Sequence, residues 1–331
     1  MESLSAYNFQ SQRLKRRRRK KLVKLLIYIF IGVIGMYFLF NHFMKKTPSL
    51  IENATSLMTS QSTAIPITTV NPQEISKPLK EKIAKALEGT NGIYGVVVRN
   101  LKTGETYSAN EHRVFEAGSL YKLWTMTVVI NQLESGELKE DKVLSQSVSV
   151  LNDKFDIEPE LAEQTSGTVT FSVGNGLKQM ITISANLPAL LLTEKVKLST
   201  IATFLTQNGF KESKVGTGGE APTTTPSDMA LFFEKLYKGE LANQEYTNKM
   251  IDLLKSQQLN DKLPKYLPQD TVVAHKTGEI GWFSHDAGIV YSPNGDYIIV
   301  ILSESDSPPG AEDRIAQVSK AVYEYLKNKN E

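Results

Sequence analysis

Residues 117–130 read Ala-Gly-Ser-Leu-Tyr-Lys-Leu-Trp-Thr-Met-Thr-Val-Val-Ile. From Tyr121 to Leu133 the chain is apolar on nearly every face of a helix, the mark of a helix buried inside a domain rather than lying on its surface. A lysine in such a helix needs a reason, because charged side chains are almost never fully buried without a partner. Ser119 stands three residues before Lys122. If the helix starts at the serine, hydroxyl and amine share one face. The hydroxyl then sits at the helix N-terminus, where free backbone N–H groups can stabilise an oxyanion. A neutral lysine takes the serine proton when burial and a second cation depress its pKa. Alone, Ser-x-x-Lys is weak: a chain of this length contains it by chance about once, and a helix cap followed by a surface lysine is the competing reading.

Two later triads supply support. Ser184-Ala185-Asn186 lies in a loop between a helix ending at Ile183 and a second helix, and Lys276-Thr277-Gly278 ends the strand written TVVAHKTG. A second cation and a hydroxyl at a strand edge suit a substrate carboxylate, and Lys276 would help keep Lys122 neutral. Both triads have decoys, Ser108-Ala109-Asn110 and Lys102-Thr103-Gly104, in the first hairpin and its turn, where polar turn chemistry suffices. Only the later copies follow the helix-borne serine.

The pattern outward from these residues is one of strands at both ends and helices between. Leu79, Ile83 and Leu87 mark an amphipathic helix, and Ile93–Asn100 and Thr106–Asn110 flank a turn as a hairpin. Helical segments follow at 121–133, 172–183, 187–195, 199–207, 226–238 and 243–258, with Thr225 as N-cap and Pro226 in the first helical position of the fifth. Strands return at 272–277, 282–292 and 297–303, and a helix from Glu312 to Lys329 closes the chain. The expected fold class is mixed α/β of the α+β kind. It comprises a five-stranded antiparallel sheet flanked by helices, with an inserted all-helical lobe and a cleft between the two as the default site.

The 331 residues include 38 Lys and Arg against 36 Asp and Glu, and no Cys. Zero cysteine excludes disulfides, a thiol nucleophile, thiolate zinc, iron–sulfur clusters and lipid attachment through an N-terminal cysteine. The net charge of +2 hides a segregation: residues 1–46 hold eleven basic side chains and one acid, and the remainder carries a net −8. Leu25 to Met44 is a 20-residue stretch free of charge. As a helix it spans about 30 Å, the thickness of a bilayer core. Nine of the basic residues precede it, so the positive-inside rule places the N-terminus in the cytoplasm and everything after Lys46 outside. With no small-residue cleavage site after the apolar run, an uncleaved signal anchor is preferred to a removed signal peptide. The run RLKRRRRKK is read as a topology signal rather than a nucleic-acid patch, since the acidic remainder repels phosphate. The Ser, Thr and Pro-rich segment Thr47–Pro78 reads as a stalk. The expected organisation is therefore a cytoplasmic tail over 1–24, a transmembrane helix over 25–44, a linker over 45–78 and one domain over 79–331, located at the cell membrane with that domain outside and no nucleic acid as partner.

With three motifs in this order, the chain from Leu79 to Glu331 resembles the class A β-lactamase and penicillin-binding protein superfamily, whose set is Ser-x-x-Lys, Ser-Asp-Asn and Lys-Thr-Gly. Ser184 and Lys276 follow Ser119 by 65 and 157 residues, separations similar to the family's, and the segments AGSLYKL, MITISANLPALLL, TTTPSDMALFFEKLYKGE and HKTGEIGWFSHDAGIV look like its own. The resemblance implies a β-lactamase/transpeptidase-like fold and roles for the residues. Ser119 is the acylated nucleophile, Lys122 the general base, and Ser184 the proton relay to the leaving nitrogen. The substrate-binding set is Asn186, Lys276, Thr277, Gly278 and Glu279. Asn186 bonds the substrate amide, Lys276 and Thr277 bind a carboxylate, and the backbone N–H groups of Ser119 and Glu279 form the oxyanion hole. No metal or organic cofactor is implied; the substrate is a β-lactam or the D-alanyl-D-alanine end of a peptidoglycan stem peptide, and a monomer is expected.

Two departures qualify it. The middle position of the second motif is Ala185 instead of aspartate, a position where penicillin-binding proteins vary. More consequentially, residues 209–223 are too short for the omega loop whose glutamate activates the deacylating water in class A enzymes. Its acids, Glu212 and Glu220, are followed four residues on by Gly216 and Thr224. Glu220 reads as a solvated loop acid. Glu158-Pro159-Glu160-Leu161 mimics a family sequence but falls in the wrong place in chain order and reads as a solvated stretch. His275 and His285 lack a third ligand for a metal, Trp282 suits either the cleft or packing, and Asp286 is structural. A chain that acylates without a water activator deacylates slowly. Three readings stay open: a slow β-lactamase, a D,D-peptidase-like enzyme, and a non-catalytic wall-binding module, against which the intact nucleophile and lysines argue.

Overall fold

The computed structural model describes residues 77–328. In chain order the elements are α1 (Lys77–Ala86), β1 (Ile93–Asn100), β2 (Thr106–Ala109), β3 (Phe115–Glu116), a 3-10 turn (Gly118–Leu120), α2 (Tyr121–Glu134), β4 (Val143–Ser147), α3 (Val148–Lys154), a second 3-10 turn (Pro159–Leu161), β5 (Thr168–Ser172), α4 (Val173–Thr182), α5 (Asn186–Val196), α6 (Leu198–Gln207), β6 (Thr223–Thr224), α7 (Pro226–Tyr237), α8 (Gln244–Lys255), β7 (Val273–Ile280), β8 (Phe283–Val290), β9 (Tyr297–Glu304) and α9 (Pro308–Asn328). The expected membrane helix at 25–44, the tail before it and the linker up to residue 76 lie outside the described residues. Among the described residues no helix is long and apolar enough to cross a membrane.

The main sheet is the expected five-stranded antiparallel one, in the order β2-β1-β9-β8-β7. Its central strand β9 reads Tyr-Ile-Ile-Val-Ile-Leu-Ser-Glu, continuous apolar sequence because both faces are covered. Side chains alternate along a strand. Ile298, Val300 and Leu302 pack with α2 and α7, while Tyr297, Ile299 and Ile301 pack with α1 and α9 through Leu79, Ile83, Ile315 and Val322. The same alternation sorts β7. Ala274 faces the lobe, which places Lys276 on the lobe side, and Val273 faces α1 and α9, which places His275, Thr277 and Glu279 on that side.

The inserted lobe is not all-helical, a correction to the sequence reading. β4 and β5 pair as an antiparallel ribbon with Leu144 opposite Phe171 and Gln146 opposite Val169, and β3 pairs with β6. Each ribbon strand is five residues; β5 alternates Thr and Ser with Val169 and Phe171, while β4 carries Ser145, Gln146 and Ser147 in succession, so neither resembles an apolar run. The ribbon packs Val169 against Val148, Leu151 and Leu187 in a satellite core of its own. The third motif does not end its strand either: β7 continues to Ile280, held by β8 from Val273↔Val290 to Ile280↔Phe283. The caps follow local chemistry. Thr225 accepts from Asp228 N at 3.2 Å ahead of Pro226, as the sequence indicates, and Asn243 accepts from Tyr246 N at 3.0 Å.

Ile301 is fully buried in the core against α1 and α9, so replacing it with alanine opens a cavity there. The expected cost is about 3 kcal/mol, read as a lowered denaturation midpoint with an unchanged slope.

Candidate active site

Ser119 lies in the 3-10 turn Gly118–Leu120, and the α-helix begins only at Tyr121, two residues later than a helix starting at the serine. Gly118, immediately before the serine, takes the left-handed φ of +50°. This turn presses on β7 so closely that a Cβ on Gly118 would lie 2.8 Å from Glu279 N, and one on Gly278 would lie 2.9 Å from Ala117 O. Both glycines are therefore needed to bring the half-buried serine against the strand edge. The backbone nitrogens of the Ser119 turn and of Glu279 are neighbours as a result.

Lys122 is fully buried. Its Nζ donates to Ser184 O, to Ser184 Oγ at 3.3 Å and to Asn186 Oδ1 at 2.8 Å. Those three acceptors match the three donors of an ammonium. Lys276, also fully buried, donates to Ser184 Oγ and Thr277 O, each at 2.9 Å. The Ser184 hydroxyl thus stands between two lysine amines carried by the helix α2 and the strand β7. Holding it there costs backbone strain, since Ser184 has φ +58°, a left-handed conformation that a non-glycine residue adopts at a cost of about 1 kcal/mol. Gln257 Nε2 to Ile181 O at 2.9 Å and Gln258 N to Thr182 O at 2.8 Å tie the approach to that loop to the end of α8.

Burial dominates the electrostatics. Desolvation, followed by the charge of Lys276, holds Lys122 well below the ordinary lysine value, with Glu163 acting in the opposite sense. Desolvation lowers Lys276 to about 7, against the attraction of Asp286. A lysine so placed exchanges protons near neutral pH, as general acid–base chemistry requires. The buried Asp286 accepts from Leu263 N at 3.0 Å through Oδ2, and its Oδ1 lies 2.9 Å from His275 Nδ1. It is structural in that sense, and it is also a buried countercharge to Lys276.

The two histidines lie on opposite faces. His275 is with Asp286 on the side of α1 and α9, and His285, in register with Phe283 and Ala287, faces the lobe. Among the described residues no group of three His, Asp or Glu is placed to hold a metal. His285 instead braces the serine turn. Ser303 N donates to its Nδ1 at 3.1 Å, leaving Nε2–H to donate to Glu116 O at 2.8 Å, so the neutral tautomer is fixed by its two partners. Trp282 is half-buried in the turn between β7 and β8.

The acids of the short loop are engaged locally. Glu212 Oε2 lies 3.0 Å from both His112 Nδ1 and Thr225 Oγ1, and Glu220 Oε2 accepts from Gly218 N at 3.1 Å. Two residues of consequence were not singled out by the sequence. Glu163 belongs to the acidic stretch read as solvated; it is exposed, yet its charge acts on Lys122. Lys262, in an unremarkable Asn-Asp-Lys-Leu-Pro segment, is a buried lysine paired with Glu279.

The fold and the two-lysine serine site define a β-lactamase/transpeptidase-like enzyme class, and the comparisons agree. The family model Beta-lactamase2, the Beta-lactamase enzyme family, matches residues 78–326, so the chain belongs to that family. It is a serine β-lactamase-like hydrolase. Beta-lactamase VEB-1 of Pseudomonas aeruginosa is 24% identical over 274 residues, covering 75% of this chain and 90% of the relative. The crystal structure of a beta-lactamase from Sphaerobacter thermophilus superposes with a TM-score of 0.66 at 23% identity, covering 76% of this chain and 97% of that one. The structure of PBP-A superposes with a TM-score of 0.65 at 20% identity, covering 76% of this chain and 96% of that one.

Burial lowers His285 from 6.5 to about 4. Between those values the unfolded chain binds a proton that the folded chain does not, so stability is lost as pH falls from 6.5 to 4, by about 3 kcal/mol at the acid end. Guanidinium unfolding at both pH values should show this loss, and a smaller one in His285→Gln.

Proposed function

We propose that this chain is a membrane-anchored serine hydrolase that opens β-lactams through an ester on Ser119 and releases the product slowly. The observation that carries this reading is the convergence of the Lys122 and Lys276 amines on the Ser184 hydroxyl. In the acylation step, neutral Lys122 takes the Ser119 Oγ proton as the Oγ–carbonyl bond forms. The resulting oxyanion is held by the N–H groups of Ser119 and Glu279. Collapse breaks the C–N bond, and the leaving nitrogen takes a proton from Ser184 Oγ, which is replenished from the lysine ammonium. Asn186 and Lys276 with Thr277 orient the substrate amide and carboxylate. A water then cleaves the ester, restoring Ser119.

Among the described residues neither acid of the 209–223 segment stands free to serve as base in the second step. Glu212 is engaged by His112 and Thr225 and Glu220 by Gly218 N, which supports slow deacylation and keeps a second reading in play: a D,D-peptidase-like enzyme acting on peptidoglycan. The relatives VEB-1 and PER-1, both beta-lactamases, support the first reading, and the likeness to PBP-A extends to fold alone. Incubation of the full chain with benzylpenicillin, followed by intact mass, separates the two. Wild type should gain one penicilloyl mass and Ser119→Ala none, and Lys122→Ala should acylate at least about a hundredfold more slowly, the scale of a lost general base. Consumption of excess penicillin with a decaying adduct supports the lactamase. A lasting adduct supports the peptidase, and a chain that gains no serine-dependent mass is neither.

The basic tail and the apolar stretch 25–44 support a single-pass anchor with the enzyme domain outside the cell. The cysteine-free chain makes this testable with single cysteines and a membrane-impermeant maleimide. Ser60→Cys should label in intact cells and Ser11→Cys only after lysis; the reverse, or equal labelling, overturns the topology.

A further inference from the structure

The helix α1 reads Lys-Pro-Leu-Lys-Glu-Lys-Ile-Ala-Lys-Ala. Leu79 and Ile83 are buried against the sheet, whereas Lys77, Lys80, Lys82 and Lys85 are all exposed, with Glu81 the one acid among them. The helix therefore carries +3 (four minus one), or +2 when Glu88 just past its end is added. Every other described helix lies between −1 and +1; α9, for example, balances Glu312, Asp313 and Glu324 against Arg314, Lys320 and Lys327. This excess does not serve the helix itself. Its first turn has no acid and holds Lys77 and Lys80, where the positive end of the helix dipole disfavours cations. Nor does the adjoining α9 neutralise it. Asp313 and Glu324 are paired with Lys265 and Lys320, and Arg314 donates to Ala86 O at 3.3 Å, bringing a further cation to the end of α1.

Resting on the membrane-anchored reading, we infer that the lysine face of α1 docks the enzyme domain onto anionic lipid headgroups of the bilayer that holds residues 25–44. Two observations choose this occupant. The first is where the chain outside the structure ends. α1 is the first described element, and 32 residues (76 − 44) separate it from the apolar stretch. Fully extended, they reach no further than about 110 Å, so the tether keeps the bilayer surface at a high effective concentration. The second is charge complementarity. Each lysine brought to an anionic surface adds an attraction that decays within a Debye length. The chain after residue 46 carries a net −8, so α1 is the face that such a surface draws in. α1 exposes no large apolar side chain, which makes the contact ionic rather than inserted. Docking also orients the enzyme. α1 covers the sheet face that carries Tyr297, Ile299 and Ile301, whereas Ala117, Leu120 and the lobe pack on the other. With α1 on the headgroups, the serine turn is directed away from the bilayer, toward substrates in the space beyond it.

The test reconstitutes the full chain in vesicles of phosphatidylcholine alone or mixed with phosphatidylglycerol, each doped with a rhodamine headgroup lipid as energy-transfer acceptor. A donor dye on Ala84→Cys, on the exposed face of α1, should transfer strongly only in the phosphatidylglycerol vesicles and lose that gain in high salt. A donor on Lys178→Cys, exposed on α4 in the lobe, should transfer weakly in both. Combining Lys77→Gln, Lys80→Gln, Lys82→Gln and Lys85→Gln should lower the docked-to-undocked ratio at least about a hundredfold. Transfer from Ala84→Cys then falls to its phosphatidylcholine level, with native far-UV dichroism. Transfer from Ala84→Cys that is equal in both lipids, insensitive to the four substitutions or matched by Lys178→Cys, in a chain that floats with the vesicles, overturns the inference and leaves the anchor standing. Lysine-dependent binding of the detergent-solubilised chain to soluble polyphosphate, without lipid dependence of the transfer, assigns the face to a dissolved polyanion and overturns the lipid partner. A chain that floats with neither kind of vesicle overturns the anchor reading and this inference with it.

Discussion

Everything about the site depends on burying two lysines within hydrogen-bond distance of one hydroxyl. An isolated buried ammonium is among the most expensive groups a protein can hold, and two of them repel. The chain meets that cost in three ways. Oxygen acceptors satisfy the donors of Lys122, the Ser184 hydroxyl and the Thr277 carbonyl receive Lys276, and Asp286 supplies buried negative charge beneath the strand. The remainder is met by giving up protons, which is why both lysines are displaced downward, Lys276 to about 7. Function and instability come from the same desolvation.

The architecture follows from that demand. Lys122 must come from a helix buried on all sides and Lys276 from a strand at the sheet edge, so the sheet needs cover on both faces and an accessible β7. The order β2-β1-β9-β8-β7 provides this, with β9 deep between two cores and β7 at the margin. The serine turn then has to touch the edge strand. Gly118 and Gly278 permit a contact closer than side chains would, and His285 holds Glu116 from the adjoining strand. Ser184 completes the set at a strained φ, a local cost sustained by packing around the loop.

The parts of this arrangement legible in the sequence are those with a strong local signature. The apolar helix after Ser119, the alternating and continuous strands, the Thr225 cap and the triads at 184 and 276 all stand out from their surroundings. The β4–β5 ribbon did not, because its strands are only five residues each and β4, with Ser145, Gln146 and Ser147 in succession, does not alternate. The 3-10 turn that delays the α-helix to Tyr121, and the left-handed Gly118 before it, are backbone conformations that composition does not reveal. Lys262 and Glu163 were invisible for another reason: their importance lies in what lies across from them in space, and neither is flanked by an apolar pattern that would make a charge look out of place.

That last distinction bears on how a site of this kind is made to differ in its two half-reactions. The acylating groups are carried by α2, the 184–186 loop and β7, elements pinned by the sheet and by two cores. A group that activates water must approach the ester from outside that frame, and such groups are carried by loops. Here residues 209–223 are short and their acids are bound to neighbours, while the carboxylate whose field reaches Lys122 is Glu163, exposed in the segment between the second 3-10 turn and β5. Asn152, itself buried, donates to Gln164 O at 2.8 Å and anchors this segment next to Glu163. On the acyl-enzyme reading proposed above, the groups for ester formation are therefore held by the sheet and its two cores, whereas the acids outside that frame are carried by loops. On that reading, changes in loop sequence act on the second step more than on the first, and the balance between holding an acyl group and releasing it is set outside the three motifs.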